Sequence, residues 1–454
     1  MAPDLRPVAA VDCRRSMRAL TRLVGGDRTV AFGVAALVTS QLLFPFQTAW
    51  ANWIVQPQIS AGAEHNSNVR LSSSTQDSAI ASIIDAGIEF SRTTESTLVK
   101  GAVGGRYTFY SGANDLTQDR DNQSANLRIR HRFNDRWLLL SRVRFRRDDL
   151  LRRIDLGPSS LPDTGPVFAG DLSAGLPPAD DVTNSDVDLI GTQIRRTIGQ
   201  GDISAQFRFD ERNLLQFGYR YFRREFAIDT DDFIDLPNEA SIVGNLNDSE
   251  RQGLRATYSH VRSETTNVGI SLDAFQVKSG AANRETDYYQ AALFWTKRLT
   301  EATTVDANVG VTRAESDLGS GNGVLLSLRA ATRLAGGEFS GRVQRTLFPD
   351  SFGEVSERDQ ITLAYSYRIA RNLQAVFEAR GERLQRDGDA LGGLDTERVN
   401  FRPSLVWRLS EAFAVTLNYE YRWIDRNPID ESVEDFGSSD SHRGGLSFTF
   451  TPQF

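Results

Sequence analysis

Arginines recur at every second position in two neighbouring stretches of this chain. Arg128, Arg130 and Arg132 stand in the first, and Arg142, Arg144 and Arg146 in the second. Arg208, Arg220 and Arg224 extend the series further along. A guanidinium group keeps its charge at any physiological pH and presents a planar fork of donors suited to carboxylate or phosphate. In an extended chain, alternate spacing puts each trio on one side. Such a ladder lining an aqueous passage favours anionic solutes, for instance uronate-bearing or phosphorylated glycans. The competing reading is that arginines face carboxylates across a lumen and only keep it hydrated and ordered. Asp85, Glu89, Glu378, Glu382 and Glu420 fall on the same side, and Arg380, Arg402 and Arg422 are their simplest partners. Tyr288 and Phe294 share that side too, either to stack on sugars or to pack against an element folded inward.

Other chemistries find less support. The histidines are His65, His131, His260 and His442. A barrel lipase needs a serine, a histidine and an asparagine together on an outer face, and no serine motif accompanies His131 or His260. Paired carboxylates among Glu378, Glu382 and Glu420 have the geometry to cleave glycosides in principle, but ion pairing accounts for them equally simply. There is no nucleotide-binding loop, metal cluster or nucleophile elbow, so no catalytic residue, cofactor or metal is expected. The acidic run Asp229-Thr230-Asp231-Asp232 offers oxygen ligands to Ca²⁺ or to cation-bridged lipopolysaccharide, at a spacing that matches no defined calcium loop.

The elements that must position these residues are strands. Leu446, Phe448, Phe450 and Phe454 alternate with Ser447, Thr449, Thr451 and Gln453 in the last stretch. Phe413, Val415, Leu417, Tyr419, Tyr421 and Trp423 alternate with Ala414, Thr416, Asn418, Glu420 and Arg422 before it. Period two marks a strand with one apolar and one polar face. Such segments recur throughout from Asn52 onward, with starts near Val55, Ile80, Thr97, Ser124, Trp137, Asp186, Leu214, Arg251, Val268, Thr286, Thr304, Val324, Glu338, Asp359, Leu373, Arg398, Phe413 and His442. That is about 18 strands. The range is 16 to 20, because Gly199-Gln200-Gly201 interrupts Asp186 to Phe209 and leaves one bulged strand or two. Pro403 falls mid-strand, where a lost ladder bond implies a bulge.

Connections alternate in kind. Short turns such as Asn134-Asp135-Arg136, Thr300-Glu301-Ala302, Gly336-Gly337 and Ser410-Glu411 interleave with long polar loops at residues 151–182, 227–247 and 425–440. Leu151 to Val182 carries five prolines and five aspartates. It either folds into the barrel or stands as a solvated loop. Tight turns at one end and long loops at the other are the pattern of a transmembrane antiparallel up-and-down β-barrel with both termini on the periplasmic side. The mean hydropathy of −0.37 agrees, since half of every strand faces water.

Residues 1–51 read as a secretory signal peptide. Arg14, Arg15, Arg18, Arg22 and Arg28 lead into an apolar stretch from Val30 to Leu43, followed by the small-x-small site Ala49-Trp50-Ala51. The apolar stretch is shorter than the roughly 20 residues of a membrane span. Met17 offers a second start. The single cysteine, Cys13, lies in this leader. Its removal takes out 6 Arg and 3 Asp, leaving 46 basic and 56 acidic residues and a net charge of −10. That balance argues against nucleic acid as a partner.

Two short motifs carry a family resemblance. Trp53-Ile54-Val55-Gln56-Pro57-Gln58-Ile59 followed by Glu64-His65-Asn66-Ser67-Asn68-Val69-Arg70-Leu71, and the turn Arg408-Leu409-Ser410-Glu411, resemble the β-barrel porins found with exopolysaccharide and exosortase-type operons. The resemblance implies a Gram-negative outer-membrane barrel that assists polysaccharide export with periplasmic export proteins. It implies no catalytic residues. The closing phenylalanine of Leu446, Phe448, Phe450 and Phe454 resembles the signal read by the barrel-assembly machinery. Outer-membrane lipid and lipopolysaccharide are the surrounding partners expected. A general or anion-preferring solute porin, a closed structural barrel and a lipid- or glycan-modifying barrel enzyme are the alternatives.

Overall fold

In the computed structural model, alternation becomes a closed wall of 18 antiparallel strands. The structure describes residues 53–68, 78–111, 120–150, 194–228, 248–280, 284–316, 319–349, 355–386, 394–428 and 437–452. The signal-peptide reading, most of the three long loops, the acidic run at 229–232 and Phe454 lie outside them. The strands are β1 (Trp53–Asn66), β2 (Ala79–Thr93), β3 (Thr97–Ser111), β4 (Arg120–Arg132), β5 (Trp137–Leu150), β6 (Ile194–Arg208), β7 (Asn213–Ile228), β8 (Ser249–Ser263) and β9 (Thr266–Ser279). They continue as β10 (Arg284–Arg298), β11 (Thr303–Ser316), β12 (Gly319–Leu334), β13 (Gly337–Pro349), β14 (Val355–Ala370), β15 (Leu373–Arg386), β16 (Leu394–Arg408), β17 (Phe413–Pro428) and β18 (Gly437–Phe450). Each pairs with its sequence neighbour, and β1 pairs with β18 to close the ring. Closure removes the free edges that invite aggregation. No helix occurs among the described residues.

The expected strand count holds, and three expectations are corrected. The strand start near Asp186 lies outside the described residues. β6 starts at Ile194 and runs as one strand through Gly199 and Gly201, in unbroken register with both β5 and β7. Pro403 makes no bulge. Register continues across it on both sides, from Phe377–Pro403 and from Phe401–Tyr421 to Ser404–Asn418. β12 begins at Gly319 rather than Val324, because three alternating glycines give no hydropathy signal. β18 begins at Gly437 rather than His442, and β17 and β7 run on to Pro428 and Ile228, so the 425–440 and 227–247 loops are shorter than expected. Serine-rich and charged strand ends hide in composition because they project beyond any apolar zone. Register shifts do occur at Val261/Ser263 and Arg368/Ala370, next to tight turns.

Side chains sort by parity. Outward positions are apolar and exposed: Val103, Ile203, Phe217, Leu254, Leu293, Val309, Leu363, Leu417 and Phe448 among others. Along β14 the outward run is Ile361, Leu363, Tyr365, Tyr367 and Ile369. At about 3.3 Å per residue and a tilt of about 40°, that run stands roughly 20 Å tall. Aromatic rings gather at its tight-turn border, with Trp137 against Phe207, Phe207 against Phe209, Trp53 against Phe90 and Phe413 against Phe450. At the opposite border the outward face turns abruptly to ion pairs. Arg223 meets Glu225 at 2.5 Å, Arg313 meets Glu315 at 2.6 Å, and Arg345 meets Asp359 at 2.5 Å and Glu357 at 2.9 Å. Arg383 meets Asp395 at 2.5 Å.

The wall departs from a simple cylinder at one place. Pairing of β12 with β13 runs only from Leu334–Gly337 up to Leu326–Arg345. Beyond that, Gly319 to Leu325 pair with β11 alone, while β13 continues to Pro349 paired only with β14. β13 leans inward there and comes against β10 and β11. The Tyr288 hydroxyl of β10 donates to the Leu347 carbonyl at 2.6 Å. Gly323 allows this approach, since a Cβ on it would stand 2.8 Å from the Cβ of Leu347.

Candidate functional site: the lumen wall

Inward positions divide the lumen into three sectors. The first runs from β3 to β8 and is basic. Parity and register turn all nine arginines of the ladder inward. Arg128 faces Arg142, Asn126 faces Arg144 and Ser124 faces Arg146 across β4–β5. Arg142 faces Asp202, Leu214 faces Arg208, and Ile198 faces Arg224. Arg130 and Arg132 complete β4 near the tight turn. On β4 and β5 six of these arginines share the inner face with one described carboxylate, Asp148. Like charges directly opposed across strands are unfavourable, and this wall sets Arg128 directly against Arg142.

Carboxylates enter this sector on β5 and β6 and at its margins on β2 and β9. Asp85 takes Arg106 at 2.5 Å. Asp148 is buried between Arg196 at 2.6 Å and Arg146 at 2.9 Å. Asp202 takes Arg220 at 2.6 Å, and Asp273 takes Arg255. Arg146 and Arg220 of the ladder are therefore structural partners. Arg224 is buried, with its guanidinium 5.1 Å from the Phe226 ring.

The second sector spans β14 to β18 and β1, and here each inward carboxylate is held by one or more arginines. Glu420 is held by Arg402 and Arg422, each at 2.7 Å, by Arg443 at 3.5 Å and by the Asn400 amide at 3.0 Å. Arg443 also pairs with Glu64 across the β1–β18 closure. Glu382 takes Arg380 at 2.7 Å, with Arg358 at 3.7 Å and Arg398 at 3.9 Å. Glu378 lies 3.9 Å from Arg402. Glu378, Glu382 and Glu420 thus stand in ion pairs, as one of the two readings of their sequence expected.

The third sector, β9 to β12, is apolar, which the sequence analysis missed. Phe275 stacks on Tyr288 at 4.3 Å between ring centres. Ala292, Ala314, Leu325 and Leu347 are buried beside them. Tyr288 is thus taken up by β13 rather than free for a sugar, and the Phe294 ring lies over Gly269 of the next strand. The readable signal was the run Gly319, Gly321 and Gly323, a strip of wall with no side chains on the inner side of β12.

The histidines sit outside. His131 bonds Thr97 at 2.7 Å and meets the edge of Phe133. His260 bonds Asn213 at 2.9 Å. His442 lies between the Tyr419 hydroxyl at 2.7 Å and Asp440 at 3.2 Å, a constellation visible in sequence only as the Asp440/His442 spacing. Leu446, Phe448 and Phe450 point outward and are exposed.

No family model and no curated protein matches this chain. Among solved structures it is similar to the FrpB iron transporter from Neisseria meningitidis, at 8% identity and TM-score 0.45, covering 88% of this chain and 81% of that one. It is similar to the siderophore receptor PirA from Pseudomonas aeruginosa, at 9% identity and TM-score 0.38, with 88% and 80% covered. OpdL from Pseudomonas aeruginosa gives 13% identity and TM-score 0.43, with 89% and all 100% of that chain covered. Likeness this slight transfers nothing about cargo.

Proposed function

We propose that this chain is an outer-membrane barrel that conducts anionic solutes, acidic saccharides among them. One observation carries the reading: a closed strand wall apolar outside, with an inner face that is strongly basic over β4 and β5. An apolar outer band bounded by aromatic rings on one side and ion pairs on the other matches a lipid bilayer in chemistry and approaches the about 25 Å height usual for such barrels. The tight-turn end, with both ends of the strand ring, then faces the periplasm. The six arginines of Arg128 to Arg132 and Arg142 to Arg146 lower the energy of an anion in transit. Polysaccharide export with periplasmic partners is the task that the opening and turn motifs favour. A small-solute porin is the second reading, favoured by the inward lean of β13, which narrows the lumen.

The test is the reversal potential of the purified protein in a planar bilayer under a potassium chloride gradient. Wild type should show anion preference. Replacing Arg128, Arg130, Arg142 and Arg144 by Gln should bring the potential to zero or reverse it. An unchanged potential removes the anion claim, and no conductance at any voltage removes the conduit.

A further inference from the structure

The parting between β12 and β13 is a place where the barrel wall overlaps itself. Along most of the described wall, neighbouring strands are joined by a ladder of backbone bonds. Above Leu326–Arg345 the ladder stops, and β13 lies inside β12. The two layers are closed against each other by Leu347 seated on Gly323, by Leu325 and Ala314, both fully buried, and by the hydrogen bond from Tyr288 to Leu347. A slit sealed by apolar side chains and one hydrogen bond is far cheaper to open than a strand ladder.

The outer side of the same place is also unusual. A concavity of about 1030 Å³ runs across the outside of β7 to β12. Ala256, Ala274 and Ala291 make its floor, Leu254, Leu272 and Tyr289 rise around it, and it ends on Gly323 and Val324 at the edge of the slit. Arg313 stands on its rim, at the border where the outward face turns from apolar to charged. β4 and β5 lie nine strands away from β13 and β14 in a ring of 18, on the opposite side of the lumen.

We propose that the β12–β13 slit is a lateral passage between the lumen and the outer leaflet, and that its cargo is an anionic amphiphile. The inference rests on the conduit reading and narrows its substrate class. The charged head travels in the arginine-lined lumen. The acyl chain slides through the apolar slit and is received by the alanine-floored groove outside. A second copy of the chain is the other occupant that the groove could take, and the test separates the two.

The full barrel is placed in phosphatidylcholine vesicles containing a lysophosphatidic acid with a photoreactive group on its acyl chain. Labelled peptides are identified after irradiation. Wild type should be labelled in the outer groove, at Ala291 and Val311, and weakly at Leu325 and Leu347 inside the slit. Tyr288→Phe should raise the inner labelling about fivefold, the effect of one hydrogen bond on an opening equilibrium. Gly323→Cys with Leu347→Cys should form a bridge after a shift of about 1 Å, given the roughly 3.8 Å between Cβ atoms that a disulfide needs. The only native cysteine is Cys13, so no thiol in the barrel competes. The bridge should abolish inner labelling and leave outer labelling intact, and reduction should restore it, which also shows that the doubly substituted barrel is folded. Inner labelling indifferent to the bridge overturns the passage. A barrel that sediments as a dimer and takes no label in the outer groove overturns the cargo. Bilayer conductance of wild type is read separately. A conducting barrel whose slit ignores the bridge refutes this inference alone, and a silent barrel refutes the conduit.

Discussion

Glu420 is 3% exposed and touches three guanidinium groups. Removing one member of such a buried network leaves charge uncompensated, at a cost of about 3–5 kcal/mol. Glu420→Ala should therefore lower the temperature at which the compact barrel band is lost on unheated gels. Parity alone made the ladder legible, because an alternating trio on a strand has one face. The pairing was less legible. Asp148 meets Arg196 and Asp202 meets Arg220 only through the register of neighbouring strands, and a single strand's sequence carries no register. Glu378, Glu382 and Glu420 were recognisable as ion-pair partners because arginines stand two positions away or on the next strand.

At the scale of elements, the turns carry their own chemistry. Asp210 accepts bonds from the Arg212 and Asn213 amides, each at 2.8 Å, and from the Asn213 side chain. The Asn213 side chain and the Arg212 amide hold its carboxyl below the ordinary value. A carboxyl lowered on folding stabilises the turn above its unfolded value of about 3.9, and the contribution is lost as pH falls through the lower folded value. The protection of the Arg212 and Asn213 amides, taken relative to the intrinsic exchange rate at each pH, should fall on that acidification, and Asp210→Ala should show the lower protection already at neutral pH. Equal protection in the two proteins would refute the turn's dependence on the carboxylate. The strands themselves were readable from alternation, and their number followed. The lean of β13 was not. Its alternation is the same as in any wall strand, and the departure is driven by what its neighbour lacks, a side chain at Gly323. The eight register pairs of β1 with β18 are the fewest in the ring. That agrees with proline at positions 57 and 452 beside the closure.

For the whole molecule, the two faces of one strand should respond oppositely to charge. Val309 is half exposed on the outer band, level with Leu293 and Leu326, while Asn308 beside it points inward. Val309→Lys should cost about 2–4 kcal/mol in a bilayer, and Asn308→Lys much less. Unfolding titrations of the two variants in lipid vesicles measure the difference, and equal costs would contradict the membrane-facing assignment. The outer ion pairs at Arg223, Arg313, Arg345 and Arg383 are exposed, where such pairs add roughly 0–1 kcal/mol each. Their value lies in marking a depth beyond which the barrel does not sink.

The lean of β13 has a geometric consequence for anything in the lumen. That strand sits across the ring from β4, so its intrusion moves the widest column of water off the barrel axis. It moves toward the arginines. A solute in that eccentric column stays close to one charged wall for most of its path, and low-dielectric protein on the far side concentrates the field lines on it. Selectivity in such a channel comes from steady one-sided focusing along the route rather than from a ring of charge at a single constriction.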